Sequence, residues 1–81
     1  MDSIFIETVA KALKINPGKL KEDSGVDSIP EWDSLTHWSI IGSLENRYGV
    51  EFTMDEVIGL RNLRDIYDKL MEKKRGHEAG I

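Results

Sequence analysis

The sequence predicts an all-α protein, a four-helix bundle of three longer helices and one short one, with a long loop between the first two. The chain has 81 residues, which is room for one small core. It contains no cysteine, so neither a disulfide nor a thiolate metal site can hold it together. Small domains without such links usually depend on close helix packing. Apolar residues recur along the chain at the three- and four-residue spacing of helices.

The first helix is predicted from about Ser3 to Ile15. Asp2 or Ser3 can cap its start. The side chains of its apolar face are Ile6, Val9, Ala10 and Leu13. The helix ends at Asn16-Pro17-Gly18, because proline cannot continue the hydrogen-bond ladder.

Residues 17–33 form a long connection rich in Asp, Ser, Gly and Pro. Loops of this length in small domains are usually functional, or they argue against the assignment of the helices. Three apolar residues are spread along it: Leu20, Val26 and Ile29. We therefore expect an ordered loop that these side chains hold against the bundle.

The second helix is predicted to start at Asp33 or Ser34 and to end near Tyr48-Gly49. Its expected buried stripe is Leu35, Trp38, Ile41, Leu44 and Tyr48, widened by Ile40. Gly49 suits the left-handed position after a helix. Gly42 lies inside the helix at a cost of about 1 kcal/mol relative to alanine, which suggests a close approach by another element.

Two further helices follow. Val50-Glu51-Phe52 is a short extended link with Val50 and Phe52 turned inward, and Thr53 to Glu56 matches a capping box that opens a short helix ending at Gly59. Asn62 caps the last helix, whose apolar face is Leu63, Ile66, Tyr67, Leu70 and Met71. Lys73, Lys74 and Arg75 are expected in its last turn. Residues 76–81 are expected to be a flexible C-terminal tail, which leaves 1–75 as a single domain.

Charge disfavours some functions. Nine acidic residues and one basic residue lie between Glu22 and Ile58, within a chain of net charge −4. Such a surface repels nucleic acid and attracts basic proteins. No apolar run approaches the roughly 20 residues of a membrane span. The first ten residues lack the basic segment of a secretory signal, so we expect a cytoplasmic protein.

One segment concentrates reactive side chains, Glu31 to His37, where the long loop enters the second helix. The start of a helix presents free backbone N–H groups and a positive dipole, which together favour a phosphate group. Ser34 is placed there next to Asp33, although either residue could simply cap the helix. His37 is expected to be solvated on the helix surface, and Trp38 to lie in the core. The acidic residues of the long loop lack the spacing of a calcium loop, and the two histidines are forty residues apart in the sequence. We therefore expect no metal site.

Asp33-Ser34-Leu35 at the start of the second helix resembles the attachment motif of acyl carrier proteins. Three further stretches are similar to that family: Leu13-Lys14-Ile15-Asn16-Pro17 with Leu20, Leu44 to Phe52, and Asn62-Leu63-Arg64-Asp65. The resemblance covers about Ile4 to Leu70.

The resemblance implies a stand-alone, non-catalytic carrier. Ser34 would bear a 4′-phosphopantetheine arm donated from coenzyme A by a phosphopantetheinyl transferase, and the arm would carry acyl groups as thioesters for loading and using enzymes in fatty-acid, polyketide or specialised biosynthesis. We expect a monomer. The residues expected to meet partner enzymes are Asp33, Leu35, Thr36, His37, Ser39, Gly42 and Glu45. Asn46 also lies on the outward face of this helix, and Glu45 is the single acid there. The matching face of fatty-acid carriers is acidic, so this difference favours a dedicated pathway.

Three alternatives remain open from the sequence. The cargo could be aminoacyl or peptidyl, although the usual peptidyl-carrier motif is absent. The chain could be an unmodified helical adaptor that docks through its acidic surface. A small hydrolase using Ser34, His37 and Asp33 would also need an oxyanion hole and a substrate pocket, for which 81 residues offer little room. Trp32 could either pack the loop or flank the arm.

Overall fold

Four α-helices make up the fold, which a computed structural model describes over residues 1–79. They are α1 (Ser3–Leu13), α2 (Ser34–Tyr48), α3 (Met54–Gly59) and α4 (Leu63–Ala79), and a 3-10 turn, Pro17–Lys19, lies in the loop after α1. Within residues 1–79 the only strand-like pairing is an isolated bridge between Gly25 and Asn62. The predicted all-α bundle with a long first loop is confirmed.

Helix α1 is two residues shorter than predicted. Asp2 caps it, with its Oδ1 accepting a hydrogen bond of 2.8 Å from the Phe5 N–H. At the other end Lys14 adopts a left-handed conformation with φ 60° and its N–H bonds to carbonyl oxygens of the last turn. This local cap ends the helix at Leu13, before the chain reaches Pro17. Phe5, outside the predicted apolar face, is completely buried and meets the Tyr67 ring edge-on, with centroids 4.9 Å apart.

The long loop is ordered, as predicted, and is held by two kinds of contact. Its apolar side chains pack half-buried against the core: Leu20, Val26 and Ile29. Its backbone pairs with the start of α4, since the Val26 N–H donates to the Arg61 carbonyl (3.2 Å) and the Leu63 N–H donates to the Ser24 carbonyl (2.8 Å). These bonds place the loop across the end of the bundle at which α2 begins.

The link from α2 to α3 follows the prediction closely. Gly49 is left-handed with φ 67°, Val50 is buried and Phe52 is half-buried against the core. The Phe52 N–H donates to Glu45 Oε2 at 2.8 Å. The Glu45 carboxylate therefore stabilises the link between the two helices.

A capping box opens α3, as the sequence predicts. The Thr53 hydroxyl accepts from the Glu56 N–H, and the Glu56 carboxylate accepts from the Thr53 N–H. Glu56 also lies 2.7 Å from Lys73 Nζ of α4. The hydrogen bond from Lys73, followed by that from Thr53, lowers the pKa of Glu56 to about 2. Glu56 thus stays ionised and ties the start of α3 to α4.

Helix α4 begins as predicted but ends later. Asn62 Oδ1 accepts a 2.9 Å hydrogen bond from the Asp65 N–H. The expectation that Lys73, Lys74 and Arg75 form the last turn is wrong, because the helix continues to Ala79. Within the predicted part of the helix, Lys73 pairs with Glu56 and Lys74 lies 5.2 Å from the centre of the Tyr48 ring. Of the predicted tail, residues 76–79 continue the helix, and Gly80 and Ile81 lie outside the described residues.

The core lies along the centre of the bundle and all four helices contribute to it. The side chains that are almost fully buried are Phe5, Val9, Ile40, Ile41, Leu44, Val57, Leu63, Ile66 and Leu70. No helix in the described part of the chain is both long and apolar enough to cross a bilayer.

Candidate functional site

Ser34 is the first residue of α2, and Asp33 is the residue that caps the helix. Asp33 Oδ1 accepts two hydrogen bonds of 2.8 Å, one from the Thr36 N–H and one from the Thr36 hydroxyl. Because Asp33 performs the capping, the Ser34 hydroxyl is not needed for it. Ser34 is exposed, and its side chain is free to be a point of covalent attachment.

The same two bonds set the charge beside Ser34. The hydrogen bond from the Thr36 N–H, followed by that from the Thr36 hydroxyl, lowers the pKa of the Asp33 carboxyl. Asp33 is therefore a negative group at neutral pH, directly next to the exposed serine. Free N–H groups of the first turn and the positive end of the helix dipole balance this charge locally.

A buried hydrogen-bond chain crosses the bundle beneath Ser34. The Trp32 indole N–H donates to His37 Nδ1 at 3.0 Å, and His37 Nε2 lies 2.9 Å from the Val57 carbonyl oxygen. A neutral imidazole with its hydrogen on Nε2 satisfies both contacts. Trp32 is 2% exposed and His37 is 8% exposed. The expectation of a solvated His37 is wrong, and Trp32 packs the loop into the core.

This chain of bonds also bears on the hydrolase alternative. A serine nucleophile needs a base with a free ring nitrogen. Both nitrogens of His37 are already bonded to Trp32 and Val57, so the imidazole cannot accept the Ser34 proton in this arrangement. Its burial likewise keeps His37 from direct contact with a partner protein, contrary to its place among the expected partner residues.

The buried stripe of α2 is rotated relative to the prediction. It runs through His37, Ile40, Ile41 and Leu44, with Tyr48 half-buried at the end. Leu35 is 78% exposed and Trp38 is 46% exposed, so the prediction that both lie in the core is wrong. Each residue turns a helix by about 100°, so when His37 points inward Trp38 must lie on the flank. Leu35 and Trp38 form an apolar surface next to Ser34.

An open cavity of about 330 Å³ lies beside Ser34. Its apolar lining comes from the loop, α2, α3 and the link after α3: Val26, Trp32, Trp38, Val57, Ile58 and Leu60. The polar lining residues are Asp33, Ser34, His37 and Arg61. An exposed serine thus lies beside a mainly apolar cavity, and Arg61, whose guanidinium lies 3.6 Å from the Asp27 carboxylate, is also in its lining.

The other predicted partner residues lie along α2 and differ in their exposure and in their hydrogen bonds to the rest of the chain. Thr36 and Glu45 are half-buried, and each is engaged within the chain, with Asp33 and Phe52 respectively. Ser39, Gly42 and Asn46 are exposed. A methyl group added at Gly42 would meet no described atom within 4 Å, so the close approach predicted there is wrong.

Sequence reasoning missed two features of the site, the buried role of His37 and the presence of Arg61. The burial of His37 was missed because histidine is polar, and polar residues in a helix are normally predicted to lie on its surface. Arg61 is 27 positions from Ser34 in the chain, and only the packing of the α3–α4 link brings it to the cavity. Across the described residues no group of three His, Cys, Asp or Glu side chains could hold a metal ion.

Comparisons with known proteins found similarity in both sequence and fold. A family model described as "Phosphopantetheine attachment site" matches residues 3–70. The solution NMR structure of a holo acyl carrier protein from Geobacter metallireducens is similar, with a TM-score of 0.81 and 28% sequence identity. The similarity covers 93% of this chain and 87% of that one. No curated protein shows significant sequence similarity.

Proposed function

Because this chain belongs to the acyl carrier protein family, whose members are non-catalytic carriers with covalently attached 4′-phosphopantetheine, we propose that Ser34 is its attachment residue. The observation that supports this most is the division of roles at the start of α2: Asp33 caps the helix and leaves the exposed Ser34 hydroxyl available. The transferase that modifies Ser34 would take the arm from coenzyme A.

The residues around Ser34 fit such a group. A phosphodiester on Ser34 would lie at the N-terminus of a 15-residue helix, where the backbone N–H groups and the dipole favour negative charge. Arg61 also lines the adjoining cavity, but its guanidinium lies 3.6 Å from the Asp27 carboxylate, so the helix N-terminus is the main positive feature beside Ser34. The apolar lining beside it offers contact surface to the non-phosphate part of the arm. When bound, the arm supplies a terminal thiol that holds cargo as a thioester, and the protein supplies its presentation and its recognition by partners.

We propose acyl groups as the cargo. The similar solved structure is that of a holo acyl carrier protein, which favours acyl over aminoacyl or peptidyl groups. Leu35, the residue after Ser34, is largely exposed and gives partner enzymes an apolar contact close to the attachment point. Further along α2 the exposed positions are Ser39, Gly42 and Asn46, which carry no charge. A face of this kind suits enzymes of a dedicated pathway better than enzymes selected for an acidic helix.

The attachment residue is tested by intact mass. The purified chain, incubated with coenzyme A and a broad-specificity phosphopantetheinyl transferase, should gain the mass of one phosphopantetheine group, and Ser34→Ala should gain none. Ser3→Ala is the matched control, because Ser3 is likewise an exposed serine at the first position of a helix that the preceding aspartate caps, and it should be modified like the wild type.

Circular dichroism should show the same helical signal for both variants, since Asp33 provides the cap in each. Modification of Ser34→Ala would refute Ser34 as the attachment residue. The absence of any modified wild-type chain would instead favour an unmodified adaptor.

A further inference from the structure

The Trp32–His37–Val57 chain of hydrogen bonds depends on the protonation state of one side chain. His37 Nδ1 accepts from the Trp32 indole N–H, and its other ring nitrogen faces the Val57 carbonyl oxygen. Only a neutral imidazole can accept at one nitrogen and donate at the other. The ring is 8% exposed, so water cannot readily replace a lost partner.

These three residues join separate parts of the site. Trp32 is two positions before Ser34 and belongs to the long loop, His37 belongs to α2, and Val57 belongs to α3. All three line the cavity beside Ser34. The bonds therefore hold the loop and α3 together across the cavity wall.

We propose that His37 is a proton-sensitive latch: neutral, it holds the loop and α3 together beside Ser34, and protonated, it releases Trp32. Protonation would place a hydrogen on Nδ1, opposite the indole N–H, so that two donors would face each other. It would also put a cation in a buried position, which is unfavourable without a partner. The segment leading into Ser34 would then lose its bond to α2.

The direction of the pH effect follows from proton linkage. A solvated histidine is protonated below about pH 6.5, whereas the closed latch requires the neutral ring. Below that pH the open or unfolded chain binds more protons than the closed one, so stability of the closed form falls as pH decreases. The latch is closed at neutral pH and opens on acidification.

Charged groups on the neighbouring elements modulate this balance without replacing the indole bond. Asp33, one turn before His37, and Glu31, next to Trp32 in the loop, are the acidic residues nearest to His37 along the chain. Arg61, in the link after α3, lines the same cavity, and its guanidinium lies 3.6 Å from the Asp27 carboxylate of the loop. Glu56, next to Val57 on α3, is committed to Lys73 of α4. Charges of both signs thus lie on the elements around His37, and the latch depends on Nδ1 accepting the indole hydrogen bond.

Nuclear magnetic resonance on the unmodified full chain tests the latch directly. His77→Gln removes the only other histidine, and a Trp38→Phe sample assigns the two indole signals. As the pH is lowered from 8 to 5, the hydrogen-exchange protection factor of the Trp32 indole should fall roughly tenfold or more, the loss expected for one broken buried hydrogen bond. An indole that keeps its protection while the ring becomes protonated would overturn the proposal.

Trp32→Phe provides the second test, because it keeps an aromatic ring and removes the N–H donor. Its melting temperature should depend less on pH between 8 and 5 than that of the wild type, whereas Trp38→Phe should keep the full dependence. Equal slopes for wild type and Trp32→Phe would overturn the latch, and should Trp32→Phe not fold, the wild-type titration decides alone. Both experiments use the chain without phosphopantetheine, so their outcome is separate from the assignment of Ser34.

Discussion

Replacing Gly25 by alanine should destabilise the protein because the loop backbone runs directly against the start of α4. A Cβ atom at this position would lie 2.9 Å from the Cα of Asn62 and closer still to the carbonyl oxygen of Arg61. Both neighbours are backbone atoms, which cannot rotate away as the end of a side chain can. The backbone pairing of Val26 with Arg61 and of Leu63 with Ser24 would have to move apart.

The magnitude follows from the cost of overpacking a closely fitted site, about 1–3 kcal/mol. For a domain of 60–100 residues each kcal/mol lowers the melting temperature by roughly 4–8 °C. Gly25→Ala should therefore melt about 5–20 °C below the wild type. Gly42→Ala is the matched control: its added methyl group meets no described atom, and alanine favours the helix by about 1 kcal/mol. That variant should melt above the wild type.

Thermal unfolding followed by circular dichroism at 222 nm, a standard helix wavelength, measures both variants under identical conditions. Hydrogen exchange of the Val26 and Leu63 amides adds a local readout, since both should exchange faster in Gly25→Ala. A melting temperature of Gly25→Ala within about 2 °C of the wild type, with Gly42→Ala behaving as expected, would contradict this prediction. That result would mean that the loop is not held against α4 in solution.

Two further pairs of measurements test the core and the charge network. Leu44→Ala should lower the free energy of unfolding by about 2–5 kcal/mol, because Leu44 is fully buried. Leu35→Ala, at a 78% exposed position, should change the free energy of unfolding by no more than about 0.5 kcal/mol. Similar urea midpoints for the two variants would contradict the observed rotation of α2. Glu56 has its pKa lowered from 4.5 to about 2, so the stability it contributes is present above pH 4.5 and is lost as pH falls toward 2. Glu56→Gln should therefore flatten the decline of the urea midpoint over that interval, and an unchanged decline would show that the Lys73 contact does not form in solution.

Features that depend on neighbouring residues along the chain could be predicted from the sequence. The capping box of Thr53 and Glu56, the Asn62 cap and the left-handed Gly49 were all predicted, because each is a bond or backbone state within a few residues. The end of α1 was missed because a left-handed lysine carries no distinctive sequence signal. The end of α4 was missed because Gly76, a residue type that usually marks the end of a helix, lies within it.

The candidate site shows the same division. The position of Ser34 at the start of α2 could be read from Asp33-Ser34-Leu35 and its flanking stretches, since the motif and the helix cap are both local. The inward direction of His37 could not, because a histidine is buried only where partners for both ring nitrogens exist, and one of them, the Val57 carbonyl, is 20 residues away. A rotation of α2 that places His37 inside necessarily leaves Trp38 on the flank.

The sequence by itself thus determined the class of fold, the helix caps and the place of the attachment motif, because short-range hydrogen bonds and apolar spacing specify them. Only the tertiary structure decided which side of α2 is buried, which groups line the cavity beside Ser34 and how the long loop is held. Those outcomes depend on side chains and carbonyl groups that are distant along the chain and meet only when the helices pack. A polar residue such as His37 can take a core position once that packing supplies both its donor and its acceptor.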